Sequence, residues 1–156
     1  FETYNRSHRI STPTERRIVG TGMPNACNLC HLDESLAWTR DALNEGWGAQ
    51  VSLPTGLRTH FGDDYSIPAG EAWLAHPQAS VRTVAVGAYS RSELGESMLP
   101  VIAQGLGDEN AYVRMRHLQG IEAILDRRLG DGVYDLTGGV AERGVQVGEL
   151  VERFSK

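Results

Sequence analysis

Cysteine, lysine and long apolar runs are scarce in this sequence. The chain of 156 residues has two cysteines, one lysine (Lys156) and a formal net charge of -5. Two cysteines exclude a disulfide framework, and no apolar run approaches the roughly 20 residues that a membrane-spanning helix needs. Because the arginines are scattered, they form no basic stripe for a phosphate backbone. The composition therefore excludes a transmembrane protein, argues against a nucleic-acid partner and leaves proteins with basic surfaces as partners.

Signatures of common catalytic sites are also missing. The sequence contains no G-x-S-x-G, P-loop or H-E-x-x-H motif. The acidic residues Asp63, Asp64 and Asp131 lack the spacing of a calcium-binding loop. The length suffices for one compact domain with a sizeable core, and we predict that the protein is not an enzyme.

The N-terminal part of the sequence predicts an irregular arm. Residues 1–24 contain two prolines and two glycines and show neither helical nor strand periodicity. The chain begins with Phe1 rather than Met, and nothing near it resembles the charged, apolar and small-residue zones of a signal peptide. We therefore expect a processed mature form or a piece of a longer protein.

A helical pattern begins at the two cysteines. Asn25 is a suitable N-cap, and Gly46 and Gly48 are typical of a helix end. These positions predict one continuous amphipathic helix, followed by a connector with a helical turn near residues 57–61. The side chains that recur at helical spacing on its apolar face are Leu32, Leu36, Thr39 and Leu43.

The second half of the chain repeats itself. The segment HPQASVR at residues 76–82 is matched by DENAYVR at residues 108–114, and each segment opens a predicted helix. A further helix is predicted beside Pro100 and a last one over residues 147–154. A polar segment that opens on Val-Arg and recurs at this interval is typical of HEAT-type repeats, in which stacked helix pairs share a core.

Cys27, Cys30 and His31 form a Cys-X-X-Cys-His motif. This spacing lets two thiols add to the two vinyl groups of one haem while the adjacent imidazole binds the iron. A helix suits the motif, because residues three apart lie on one helical face. The motif predicts one covalently attached haem c, with His31 as the proximal iron ligand.

Fold class and organisation follow from these patterns. We predict an all-α chain in which a haem-binding arm and helix precede short HEAT-like helical repeats. The predicted parts are a haem-binding segment over residues 1–48, a connector over 49–68, and repeats with a C-terminal capping helix over 69–156.

Two other uses of the cysteines are weaker. A structural zinc site needs about four ligands, so the cysteines would have to be completed by histidines, drawn from His8, His60, His76 and His117. A thioredoxin-like redox motif follows a strand in a βαβ unit, and the sequence shows no strand there.

The stretches SHRISTP and GTGMPNACNLCHLDESLAWTRDALNEGWG, followed by helical repeats, resemble the C-terminal part of a family of multihaem c-type cytochromes. Members combine a D-H-x-F-x-x-P element, a T-P-N-A-C-N-x-C-H-x-D-x-S-x-x-W haem-binding segment and helical repeats. The resemblance implies a periplasmic or extracytoplasmic electron carrier whose haems have two His ligands. This chain has one haem-binding motif, whereas the family carries further motifs upstream.

The resemblance also implies a second axial ligand. His8 matches the family's histidine and is the expected distal iron ligand, either of this haem or of one held by an upstream region or a partner chain. His60 is the reserve candidate for the distal iron ligand. Of the other histidines, we expect His117 to be a hydrogen-bonded core residue and His76 to be structural. Trp38 is a candidate to wall the porphyrin, whereas Trp47 is expected to pack between the helix and the repeats.

The predicted function is the transfer of single electrons to redox partner proteins, which include other haem-bearing chains, with the repeats as a docking scaffold. Because haem is attached in this manner outside the cytoplasm, we expect a periplasmic or extracellular location. One alternative is a gas-binding, sensory or peroxidase-like haem protein with an open sixth position. Another is a structural module of a larger multihaem assembly or filament, as a homo-oligomer or a complex subunit.

Overall fold

The computed structural model describes residues 19–130 and 132–156, and over these residues the protein is helical, which confirms the all-α prediction. His8 and the rest of the predicted arm up to residue 18 lie outside the described residues. The only β-type pairing in the described part is an isolated bridge between Ser35 and Pro68. The helices are α1 (Ala26–Cys30), α2 (Leu36–Trp47), α3 (Arg58–Phe61), α4 (Ala69–Leu74), α5 (Ala79–Tyr89), α6 (Leu99–Gln104), α7 (Ala111–Leu125) and α8 (Val140–Phe154).

The prediction of one continuous helix at the cysteines was wrong. The backbone leaves α1 at His31 (φ -112°, ψ 67°), and a second helix begins after Ser35, whose hydroxyl accepts a hydrogen bond from the Trp38 amide. The predicted end of the helix is confirmed at Gly48, which adopts a left-handed conformation with φ 64°. The interruption has a tertiary cause, since the intervening carbonyls accept hydrogen bonds from elsewhere in the fold.

The apolar face predicted for this region is buried on both sides of the break. Leu32 lies in the interhelical loop, while Leu36, Thr39 and Leu43 lie on α2, and all four are at most 1% exposed. The connector also contains the predicted helical turn, as the 3-10 turn Thr55–Leu57 and the helix α3.

The remaining helices form two stacked hairpins and a final helix. Helix α4 packs against α5, and α6 against α7. The hairpins then stack through α5 against α7, while α8 packs on α6. One continuous hydrophobic core runs from Val19 and the loop residue Leu32 to Leu150 on α8. The haem-binding segment predicted from the sequence and the repeats therefore share a core.

The two predicted repeat segments have the same local hydrogen bonds. Arg82 donates from Nη1 to the carbonyls of His76 and Pro77 at 2.7 and 3.0 Å. Arg114, the equivalent arginine of the second segment, donates from Nη1 to the carbonyls of Asp108 and Glu109 at 2.9 and 3.0 Å. Each arginine thus closes the turn that precedes its own helix, which supports the internal repeat inferred from the sequence.

An ion pair joins the two repeats. Nε of Arg82 lies 2.8 Å from a carboxylate oxygen of Asp108, and both side chains are largely buried. The first repeat has His76 at the position equivalent to Asp108, so only the second repeat has an acidic residue at this position. The pair therefore fixes the second hairpin to α5, the second helix of the first hairpin.

Candidate functional site

The cysteines of the motif lie on one turn of α1. Asn25 caps this helix by accepting a hydrogen bond from the Asn28 amide at 3.0 Å, as the sequence predicts. Cys27 is half-buried and packs against the core, whereas Cys30 is exposed. Both thiols are free. The site therefore presents one anchored and one accessible thiol on adjacent positions of a helical face.

His31 follows directly at the end of this helix. Its amide donates to the Cys27 carbonyl at 2.9 Å, which holds the residue beside the thiols. The side chain is exposed, and none of the described residues makes a hydrogen bond to its imidazole. Its ring centroid lies 5.0 Å from that of Trp38, with the planes tilted by 48°. The imidazole nitrogens are therefore available for an external ligand while Trp38 supports the ring.

Asn28, between the two cysteines, is completely buried. Its side-chain oxygen accepts hydrogen bonds from Asn25 Nδ2 at 2.9 Å and from Thr39 Oγ1 at 2.5 Å. Its side-chain nitrogen donates to the Glu34 carbonyl at 3.0 Å, with a longer contact to the His31 carbonyl at 3.4 Å. This role of Asn28 was not predicted from the sequence. An asparagine inside a helix is nevertheless a signal, because its side chain tends to hydrogen-bond nearby backbone groups.

The loop after His31 is docked on the first repeat. The Gly70 amide donates to the Leu32 carbonyl and the Ala69 amide to the Glu34 carbonyl, each at 3.0 Å. A β-carbon on Gly70 would overlap the Tyr89 hydroxyl and approach the Leu32 carbonyl to 2.9 Å. Glycine is required here because helix α4 and the loop approach so closely. These contacts attach the motif to the repeats.

A groove of about 660 Å³ passes beside Cys30. It opens between α1 and the end of α5, so that a group attached to this thiol has protein walls next to it. Its lining combines the apolar side chains of Leu29, Ala88 and Leu94 with the charged side chains of Asp33, Arg91 and Glu93.

The other described histidines lie apart from this motif in their contacts. His60 on α3 and His76 face each other with ring centroids 5.5 Å apart. Burial, His60 and Arg82 together lower the pKa of His76. Its Nδ1 accepts a hydrogen bond from the Gln78 amide, in agreement with the structural role predicted for this residue.

His117 is the buried, hydrogen-bonded histidine that the sequence predicts. It is 1% exposed, and its Nδ1 lies 2.8 Å from the Ile102 carbonyl. Burial lowers its pKa, so the ring is held neutral with the proton on Nδ1. No protein partner is within hydrogen-bonding distance of its Nε2 among the residues that the structure describes.

The two tryptophans on α2 differ in their exposure to solvent. Trp38 is half-buried against His31. Trp47, at the end of the helix, is 67% exposed, so the prediction that it packs between the helix and the repeats was wrong. Trp47 is the last residue of α2, and the left-handed Gly48 ends the helix directly after it.

Metal sites built from protein side chains alone find no support in the part of the chain that the structure describes. Among residues 19–130 and 132–156, no three His, Cys, Asp or Glu side chains come together in a way that could hold a metal ion. The described residues therefore provide no pair of histidines that could complete a zinc site with the two cysteines. The thiols and His31 instead fit haem c, which takes two thioether bonds and one imidazole from this motif.

Fold and site together define an all-α chain of stacked helical hairpins with a Cys-X-X-Cys-His motif in which Cys30 and His31 are exposed. Comparison with protein-family models, with curated proteins and with solved structures finds no match to this chain. Over the described residues, none of the helices combines the length and the apolar character required to span a bilayer.

Proposed function

We propose that this protein is a c-type cytochrome that carries single electrons through one covalently attached haem and catalyses no substrate conversion. The observation that carries the proposal is the motif's geometry. Two free thiols lie one helical turn apart, and an exposed imidazole without a hydrogen-bonding partner among the described residues follows them. A structural zinc site would bring further His, Cys, Asp or Glu ligands to the two thiols, and none is grouped with them among the described residues.

The residues of the motif have distinct tasks. The thiols of Cys27 and Cys30 would hold the haem covalently by each adding across one vinyl group: a carbon–sulfur bond would form, the thiol hydrogen would go to the neighbouring carbon, and no electrons would be gained or lost overall. His31 would supply an imidazole nitrogen to the iron. When bound, the haem supplies an iron that alternates between the ferric and ferrous states. The chain keeps this group permanently, even with part of it open to solvent.

Exposure of the motif favours transfer between proteins. Cys30 and His31 lie at the surface, and the groove beside Cys30 is open to solvent. We propose redox proteins, including other haem-bearing chains, as partners, and a periplasmic or extracellular location. His8 is proposed as the distal ligand on the strength of the family resemblance. Two protein ligands would let the iron change oxidation state without exchanging a ligand.

The proposal is tested on the purified chain, produced in cells that attach haem to exported proteins. Intact mass measures covalent haem, and visible spectra of the oxidised and reduced forms, with and without carbon monoxide, measure the iron's coordination. We expect one haem and a low-spin spectrum that carbon monoxide leaves unchanged. A chain without haem would refute the proposal, and a high-spin, gas-sensitive spectrum would replace it with the gas-binding or peroxidase-like alternative.

Variants separate attachment from binding. Cys27→Ser and Cys30→Ser should each leave haem held by one thioether, and the double variant should lose it during denaturing chromatography. His31→Ala should keep the covalent bonds and lose the low-spin spectrum. His76→Ala is the matched control, because this histidine bonds within its own turn, and it should leave both mass and spectrum unchanged.

A further inference from the structure

We propose that Asn28, supported by Thr39, is a positioning residue for the proximal imidazole of His31. The inference deepens the proposed function and rests on it for the role of the iron. The side-chain amide of Asn28 contacts four groups, two as acceptor and two as donor, and is completely buried. Only a primary amide offers two acceptor sites and two donors on one planar group.

The partners of this amide surround His31 in the chain. The donors, on Asn25 and Thr39, lie before α1 and on α2, while the acceptors are the carbonyls of His31 and Glu34 in the loop. The amide therefore links the end of α1, the interhelical loop and the first turn of α2. The backbone that carries the imidazole is thus linked to α2 through Asn28, by the buried hydrogen bond from Thr39 and the part-buried donations to the His31 and Glu34 carbonyls.

The ring of His31 is supported by the same helix. Trp38, which contacts the imidazole, is adjacent to Thr39 in α2. Backbone and ring are thus oriented from one rigid element, so the imidazole has a defined direction. Residues that contact a metal ligand without binding the metal themselves orient that ligand and tune the metal. Their loss commonly costs about 10–100-fold in metal affinity or activity.

Two substitutions test the amide with little change of shape. Thr39→Val removes the hydroxyl that donates to Asn28, and Thr39→Ser restores it. Asn28→Asp places a second oxygen against the carbonyls of Glu34 and His31. Asn44→Asp makes the same chemical change at an exposed position of α2 and is the matched control. Far-UV circular dichroism confirms that each chain folds.

Paramagnetic NMR of the ferric, haem-bearing chain gives the first readout. The haem methyl shifts depend on the plane of the axial imidazole, which a merely structural residue would not alter. We expect Thr39→Val and Asn28→Asp to change the spread of these shifts and to release the imidazole about 10-fold more readily. Thr39→Ser and Asn44→Asp should match the natural chain. Identical shifts in all the chains, each carrying haem, would overturn the inference.

The haem-free chain gives a second, independent readout. Trp38 should impose a ring-current shift on the His31 ring protons, and this shift should disappear in Thr39→Val and Asn28→Asp but persist in the two other variants. If the natural chain carries no haem in any preparation, the proposed function fails. The positioning of His31 is then judged by the ring-current shift alone, and its persistence in all four variants would refute it.

Discussion

Gly105 lies directly against the imidazole of His117, so closely that a β-carbon on Gly105 would overlap Nδ1 of the ring. The equivalent positions of the first repeat reverse the sizes: Trp73 corresponds to Gly105, and Ala85 corresponds to His117. Both Trp73 and Ala85 are fully buried. Each repeat therefore combines one large and one small side chain at these two positions, with the order exchanged between repeats.

Gly105→Ala should destabilise the protein by about 1–3 kcal/mol, because a buried ring cannot move without disturbing its packing. The measurement is the free energy of unfolding from denaturant titration. Gly107→Ala is the matched control, since a β-carbon there meets nothing within 4 Å, and its effect should stay within about 0.5 kcal/mol. Adding His117→Ala should recover part of the loss, and full additivity of the two changes would contradict the proposed clash.

Arg82→Gln should cost about 2–3 kcal/mol of unfolding free energy, because the change leaves the largely buried Asp108 carboxylate without its cation and removes donors from two carbonyls. Arg40→Gln, which breaks an exposed ion pair with Asp41, should cost less than about 1 kcal/mol. Equal effects of the two substitutions would show that the pair between the repeats contributes no more than a surface contact.

Acidification should weaken the fold partly through His117. Burial lowers the pKa of this residue in the folded state, so the unfolded chain binds the proton more readily. The contribution to stability is therefore complete above the ordinary histidine pKa of about 6.5 and is lost as the pH falls below it. One such proton changes the unfolding free energy by at most about 1.4 kcal/mol per pH unit.

The comparison that isolates this effect is His117→Gln, measured beside the natural chain at pH 7 and pH 5. The glutamine cannot take up the proton, so the unfolding free energy of the His117→Gln chain should fall less between pH 7 and pH 5 than that of the natural chain. His76, whose pKa is also lowered, remains in both chains and cancels. Parallel losses would assign the acid sensitivity to other groups.

His8→Ala should convert the ferric iron from low spin to high spin, because the proposed distal ligand is removed. The visible spectrum of the purified, haem-bearing variant measures the change. His60→Ala tests the reserve candidate in the same way, and we expect it to leave the spectrum unaltered. An unchanged low-spin spectrum in His8→Ala together with a high-spin spectrum in His60→Ala would reverse the assignment of the two histidines.

Much of the helical pattern could be predicted from local signals. Asn25 and Gly48 act at the helix ends as their residue types suggest, since an N-cap acceptor and a left-handed glycine operate within a few residues. The internal repeat also reappears in space, through the matching bonds of Arg82 and Arg114. The apolar positions of α2 could also be predicted, because their helical spacing is a property of the local sequence, and Leu36, Thr39 and Leu43 are buried.

The break after His31 was missed, although Ser35 is a preferred N-cap residue type that could have indicated the start of a second helix. Leu32 and Leu36 keep helical spacing, but the loop carbonyls between the helices bond to the amides of Ala69 and Gly70, which lie beyond the connector. The exposure of Trp47 similarly depends on where the first hairpin lies. Sequence spacing describes one element at a time, whereas these features depend on contacts between elements.

The sequence by itself determined the chemistry available to this protein and most of its helices. Cys27, Cys30 and His31 are neighbours in the chain, so their spacing is covalent and needs no fold to bring them together. The tertiary structure alone decided how that motif is held. The buried amide of Asn28, the hydroxyl of Thr39 and the docked loop bring together groups from three elements, and only packing of those elements makes their hydrogen bonds.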